Sequence, residues 1–235
     1  MGYWAKVAVG RVAAPPPLKG DHDIEVWFHG DPSLRKIELQ PEGKALVKEA
    51  TPGIDQWLAE SREDPPRLGK WTKRTAKLLS RRPDRSGFLA ATGKAFHVRI
   101  SESTRDRAIS ILNVVEQALE KAGMTWEVSE KEQSVVGMLY GEAVAFSLEE
   151  RYSRTEHIER DPKYSWADKK TFTYEFTGHL VLRIGGWYGG RKSWSDGKTQ
   201  RLIEKLPEVI EGFIAAAEAL RCKRLEIEER DRRLA

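Results

Sequence analysis

Between Arg67 and Arg99 the chain carries ten basic residues: Arg67, Lys70, Lys73, Arg74, Lys77, Arg81, Arg82, Arg85, Lys94 and Arg99. Asp84 is the only acid among them. That is a local charge of +9 in a chain whose formal net charge is +4, which leaves −5 for the remainder. Clustered Lys and Arg neutralise phosphates and release counterions, so such a segment is the electrostatic footprint expected for a polyanion. Trp71 and Phe88 lie inside it and are of the type that stacks on bases. The competing reading is a solvated basic face, or an arm that pairs with acids elsewhere.

A second constellation is Trp187-Tyr188-Gly189-Gly190-Arg191-Lys192-Ser193-Trp194. Aromatic rings beside Arg and Lys on a glycine-rich loop suit stacking on unpaired bases or cation–π contact. The alternative is a hinge whose tryptophans pack against the base of the following helix, as tryptophan is mostly buried. The nucleic-acid candidates are therefore Lys70, Lys73, Arg74, Lys77, Arg81, Arg82 and Arg85, joined by Trp187, Tyr188, Arg191, Lys192 and Trp194.

Catalytic and metal chemistry find less support. Glu149, Glu150, Glu156, Glu159, Asp161 and Asp168 gather around one segment, and carboxylates hold Mg²⁺ in phosphoryl chemistry. A metal nuclease would set such acids on a strand beside a lysine. Neither Glu175 nor Asp196-Gly197-Lys198 has that setting, so a charged surface loop is the simpler reading. His22, His29, His97, His157 and His179 contain no pair at the spacing of a zinc helix. Cys222 is the only cysteine, which rules out an internal disulfide and a cysteine-based zinc site. Gly185-Gly186 and Gly189-Gly190 match no phosphate loop. No catalytic residue, metal ligand or cofactor is assigned.

The elements that would position these groups follow from periodicity. Lys70–Ser80 predicts a short basic helix with Trp71, Thr75, Leu78 and Leu79 on one face, followed by a loop over 81–87. Phe96, Val98 and Ile100 alternate as a half-buried strand. Ala108, Ile111, Leu112, Val115, Leu119 and Ala122 keep helical spacing up to Gly123. Strands are expected at Thr125–Ser129, Val135–Tyr140 and Ala143–Glu150, with a turn at Tyr140-Gly141-Glu142. Arg154–Lys170 reads as a polar loop. Phe172, Tyr174, Phe176, then Leu180, Leu182 and Ile184 give one long strand with a bend or bulge at Gly178.

The last element is a long amphipathic helix striped by Leu202, Leu206, Val209, Ile210, Phe213, Ala217 and Leu220. Pro207 either kinks it or sits in its first turn. Glu226 with Arg230 and Glu229 with Arg233 are i,i+4 pairs on its charged end, which is either solvated or packed in an antiparallel dimer. Earlier in the chain, Ile24–Phe28 suggests a strand, and Leu39–Leu58 has helical spacing broken at Pro41 and Pro52-Gly53. Pro15-Pro16-Pro17 favours an extended arm.

No stretch reaches the roughly 18–20 apolar residues of a membrane span, and the first ten residues lack a secretory layout. The 235 residues, 40% hydrophobic and 32% charged, accommodate one core with much solvated surface. These features predict a cytoplasmic protein without membrane association.

Gly2-Tyr3-Trp4-Ala5-Lys6, followed by Gly10 and Pro15-Pro16-Pro17-Leu18, resembles a segment that follows the helix-turn-helix in uncharacterised bacterial helix-turn-helix proteins. Asp106–Leu112, Thr177–Leu182 and Trp194–Leu202 are similar to their C-terminal half. The resemblance implies a bacterial, DNA-associated setting and implies that the helix-turn-helix is missing here. It carries no DNA-reading residue and no activity onto this chain.

The expected architecture is α+β: an antiparallel sheet of about five strands in 96–187 under two helices, 104–122 and 198–234, the second one long. Residues 1–95 are expected to form a proline-rich basic arm with short helices, and 96–235 the α+β domain. The expected function is non-enzymatic association with DNA or RNA, phosphates being held by the basic arm and bases by the 187–194 loop. The alternatives are an interaction module that homodimerises through the C-terminal helix, and a metal-dependent nuclease.

Overall fold

The computed structural model describes residues 38–54, 67–159, 169–186 and 190–234. The fold is α+β, with a five-stranded sheet, a three-stranded sheet and a long C-terminal helix. In chain order the elements are α1 (Pro41–Ala50), α2 (Lys70–Leu79), β1 (Leu89–Ala91), β2 (His97–Ile100), α3 (Arg105–Lys121), β3 (Thr125–Ser129), β4 (Ser134–Leu139), β5 (Glu142–Val144), β6 (Phe146–Glu159), β7 (Lys169–Ile184), β8 (Ser193–Ser195) and α4 (Leu206–Leu234). The expected Ile24–Phe28 strand and the proline arm lie outside the described residues.

The larger sheet runs β1-β2-β6-β7-β8 and the smaller one β3-β4-β5. The single antiparallel sheet expected from short connections is thus two sheets, and the larger is mixed. β2 pairs with β6 in parallel, His97 opposite Ser147. A parallel pair needs a long crossover, and α3 with the whole three-stranded sheet supplies it. The segment expected as one strand, Ala143–Glu150, divides at Ala145: β5 closes the small sheet and β6 enters the large one.

α3 buries Ala108, Ile111, Leu112, Val115 and Leu119, the stripe its spacing predicts. It ends in a Schellman motif: Gly123 has φ 79°, its N–H donates to Glu120 O, and the Met124 N–H donates to Leu119 O. The β4–β5 turn places Tyr140 (φ 57°) and Gly141 (φ 78°) in the left-handed region, the twist a two-residue hairpin requires. Pro207 sits in the first turn of α4, so the helix starts at Leu206 after a 3₁₀ turn at Leu202–Lys205 and has no kink to explain. Likewise Pro41 opens α1 rather than breaking it.

The boundary expected at residue 95 does not divide the core. Leu39, Ala50, Ile54, Trp71, Leu79, Leu89 and Ala91 are buried in the same cluster as α3, α4 and the sheets. Two buried carboxylates fasten the early helices to this core. The N-cap of α2 is Gly69, which has no side chain to cap with. Glu116 of α3 takes over, its two oxygens accepting the N–H groups of Trp71 (2.9 Å) and Thr72 (2.8 Å), while Asn113 Oδ1 accepts that of Gly69 (2.9 Å). These are amides left without partners in the first turn, and the helix dipole favours a negative charge there. At α1 the Glu218 carboxylate of α4 accepts the Gln40 N–H at 3.0 Å. A Cβ on Gly69 or Gly43 would overlap the Glu116 or Glu218 carboxyl, so each close approach depends on glycine.

Candidate functional site

Trp71, Thr72, Thr75 and Leu79 are buried and Leu78 packs against the core, which leaves the basic side chains of α2 facing outward. Lys70, Lys73, Arg74 and Lys77 are exposed, as are Arg81, Arg82 and Arg85 in the following loop. Among the described residues none of these seven forms an ion pair with a carboxylate. Lys70 and Arg74 each lie 4.8 Å from the centre of the Trp71 ring. Asp84, the lone acid of the segment, is occupied in shaping the loop: its Oδ1 accepts the N–H groups of Ser86 (2.8 Å) and Phe88 (3.0 Å). The competing reading, in which this segment pairs with acids elsewhere, thus finds no such pair among the described residues, and all seven cations are exposed.

The loop is anchored by Phe88, which is 2% exposed. Its ring meets those of Tyr152, Tyr174 and Phe176 edge-on at 5.0, 5.2 and 4.8 Å. Arg99 lies over Phe88 at 3.8 Å and over Tyr152 at 5.6 Å. These partners belong to the outer half of the β6–β7 hairpin. Of Arg154–Lys170, expected to be a loop, 154–159 and 169–170 instead extend the two strands, β6 running to Glu159 and β7 starting at Lys169, while 160–168 lie outside the described residues.

Cross-strand register makes this extension a two-faced ribbon. Tyr152 opposes Phe176, Arg154 opposes Tyr174, Glu156 opposes Phe172, and Ile158 opposes Lys170. Between them Ser153 opposes Glu175, Thr155 opposes Thr173, and His157 opposes Thr171. Alternation therefore gathers the rings on one face and hydroxyls, a carboxylate and an imidazole on the other. On the ringed face Tyr152 is 40% exposed, Phe172 42% and Ile158 49%. Arg154 lies 4.7 Å over Phe172, and Lys170 pairs with Glu156 at 2.9 Å.

At the ribbon's root two buried acids hold the bend. Glu150 accepts the N–H of Ser101 (2.8 Å), the Thr104 hydroxyl (2.7 Å) and the N–H of Gly178 (2.8 Å). Gly178 has φ 73° and faces a shift of register between Glu150 and Tyr152, so the bulge expected there is present. Asp196 accepts from Leu180 N–H (2.8 Å), Arg107 (2.9 Å) and Leu202 N–H (2.7 Å). Every close contact of these carboxylates is a structural donor. Glu149 pairs with Arg183. No three or more His, Cys, Asp or Glu groups converge to hold a metal among the described residues; Asp161 and Asp168 lie outside these.

The second constellation divides. Trp194 is buried (2% exposed) and packs where a Cβ on Gly212 of α4 would overlap its indole. It is a core residue, as the alternative reading of that loop had it, and is corrected as a stacking candidate. Arg191 pairs with Glu208 at 2.5 Å and sits 5.3 Å from the Trp194 ring, so its charge is turned to α4. Lys192 is half-buried beside β8. Trp187 and Tyr188 lie outside the described residues. The rings that cluster with the basic segment, around its own Phe88, are instead Tyr152, Tyr174 and Phe176.

The far end of α4 is solvated and charged. Glu229 pairs with Arg233 (2.9 Å) as expected, whereas Arg230 pairs with Asp231 (3.5 Å) and not with Glu226. Leu220, Ile227 and Leu234 recur seven residues apart, with Lys223, Arg224, Arg230 and Asp231 at the positions midway between them, and Leu225 is exposed beside this line. No helix among the described residues is long and apolar enough to cross a membrane. In comparison with known proteins, no family model, no curated protein and no solved structure matches the chain.

Proposed function

We propose that this chain is a non-enzymatic nucleic-acid-binding protein that holds phosphates on the exposed face of α2 and on the 81–85 loop. The observation that carries the reading is the set of seven exposed cations, Lys70, Lys73, Arg74, Lys77, Arg81, Arg82 and Arg85, with no carboxylate partner among the described residues. A surface of this kind attracts a polyanion and releases its counterions. The core supports it: Glu116 and Asn113 fix the start of α2, and Phe88 fixes the end of the loop. The bacterial, DNA-associated setting implied by the resemblance points the same way.

The test is fluorescence anisotropy with labelled single- and double-stranded DNA and RNA at low and moderate salt. Binding at micromolar concentration or tighter is expected, weakening as salt rises. It should drop at least tenfold when Lys73, Arg74, Arg81 and Arg82 are replaced by Ala. All four are exposed, so the fold should survive the replacements. Absence of binding to every ligand at low salt would sink the proposal.

A further inference from the structure

Resting on that reading, we infer that the ligand is a single strand, and that its unpaired bases stack on the ringed face of the β6–β7 ribbon. Three observations converge. First, Tyr152 and Phe172 leave about two-fifths of their surface open on a ribbon that stands clear of the core. Soluble proteins ordinarily bury such rings, and a contiguous exposed group marks an interaction surface. Second, the face is not simply apolar. Arg99 lies over Phe88 and Tyr152, and Arg154 over Phe172, so guanidinium planes and rings alternate along it. Its one carboxylate, Glu156, is neutralised by Lys170. Neither Arg99 nor Arg154 pairs with a carboxylate among the described residues. An apolar protein partner needs no cations there, whereas a strand of stacked bases joined by phosphates uses both kinds of group.

Third, the face continues the phosphate-holding surface. Phe88 ends the basic loop and forms the inner edge of the ring cluster. Gly87 (φ 85°) brings the backbone so near that a Cβ there would lie 3.1 Å from the Phe176 ring. A strand whose phosphates run over Arg81, Arg82 and Arg85 thus passes directly onto Tyr152. A duplex keeps its bases paired and could use only the phosphate part of the surface.

The experiment compares three ligands of equal length: oligo-dT, the same backbone made abasic, and a duplex. They are tested on the wild type, on Tyr152→Ala with Phe172→Ala, and on Thr155→Ala with Thr173→Ala from the opposite face. Base–ring stacking of about 1–3 kcal/mol per base predicts a loss of roughly 5- to 150-fold per ring. Oligo-dT should bind at least tenfold tighter than the abasic strand, the ring variant should abolish that difference, and the threonine variant should keep it. Photo-crosslinking of 5-iodouracil-substituted oligo-dT should label peptides containing Tyr152 or Phe172 and fail in the ring variant. Equal, salt-dependent binding of all three ligands, unchanged in the ring variant, would overturn this inference while leaving the phosphate reading intact. No binding of any ligand would overturn both. A wild-type dimer in sedimentation that the ring variant dissociates would show that the face holds a second copy of the chain, and would overturn it too.

Discussion

Replacing a helix N-cap glycine by serine ordinarily stabilises a helix, because the hydroxyl accepts a free first-turn amide. At Gly69 the opposite is expected. The Trp71 and Thr72 amides are already served by the Glu116 carboxylate at 2.9 and 2.8 Å, and any Cβ on residue 69 enters the space of that carboxyl. Glu116 is 0% exposed and has nowhere wet to retreat. Gly69→Ser therefore displaces two hydrogen bonds to a charged acceptor, each worth about 1.5–3 kcal/mol. The new hydroxyl returns only about a few tenths of a kcal/mol relative to glycine. The net loss is about 3–5 kcal/mol. For a chain of this size that lowers Tm by about 6–20 °C. Glu116→Ala should cost a similar amount. The double variant should cost little more than Glu116→Ala alone, because the serine then caps an unobstructed helix end; such non-additivity is the signature of contact. Urea unfolding and calorimetry of the four proteins form the assay. If Gly69→Ser proved neutral or stabilising, or if the two losses simply added, the account of how α2 is held would be wrong.

Two further outcomes follow from the same carboxylate bookkeeping. Asp196→Ala should destabilise by about 3–5 kcal/mol in urea unfolding, since it strands the Arg107 guanidinium and the Leu180 and Leu202 amides together; a loss below 1 kcal/mol would contradict its role as the hub beneath the ribbon. Glu120 has its carboxyl held above the usual range by partial burial first and by Glu116 second. A raised carboxyl pKa makes a contribution that is full below the unfolded value and is lost as pH rises through the folded one. Glu120 is exposed, so solvent screens the effect: Glu120→Gln should stabilise at pH 7 by about 0.5 kcal/mol or less, and the gain should vanish below the unfolded carboxyl range. A gain that grew on acidification would reverse the sign.

Much of the frame was legible because local periodicity and the final packing agree. The stripe of α3, its stop at Gly123, three of the four residues expected on the buried face of α2 (Trp71, Thr75 and Leu79) and the strand pair at Thr125–Leu139 all follow from spacing and turn chemistry. What escaped was set by distant partners. Nothing near Gly69 in sequence says that Glu116, 47 positions on, caps the helix, so residues 67–95 read as an arm and not as part of the core. The parallel β2–β6 pair is likewise non-local. Tyr152, Arg154, Glu156 and Ile158 do share a face, but two of the four are charged and polar Ser153, Thr155 and His157 lie between them, so the stretch looked like a loop. The partner strand was the missing clue: Phe172, Tyr174 and Phe176 needed something to pair with, and β6 supplies it. Trp194 beside Gly190 and Arg191 looked like a binding loop because sequence shows neighbours along the chain, and not the Gly212 notch that receives its indole.

The central claim, that α2 and the 81–85 loop hold phosphates, is tested most directly by the salt slope of single-strand binding. Each phosphate neutralised contributes about −0.7 to the slope of log K against log salt. Removing Lys73, Arg74, Arg81 and Arg82 together should make the slope shallower by about 2–3 while the fold, read by Tm, stays unchanged. An unchanged slope in a folded variant would contradict the claim.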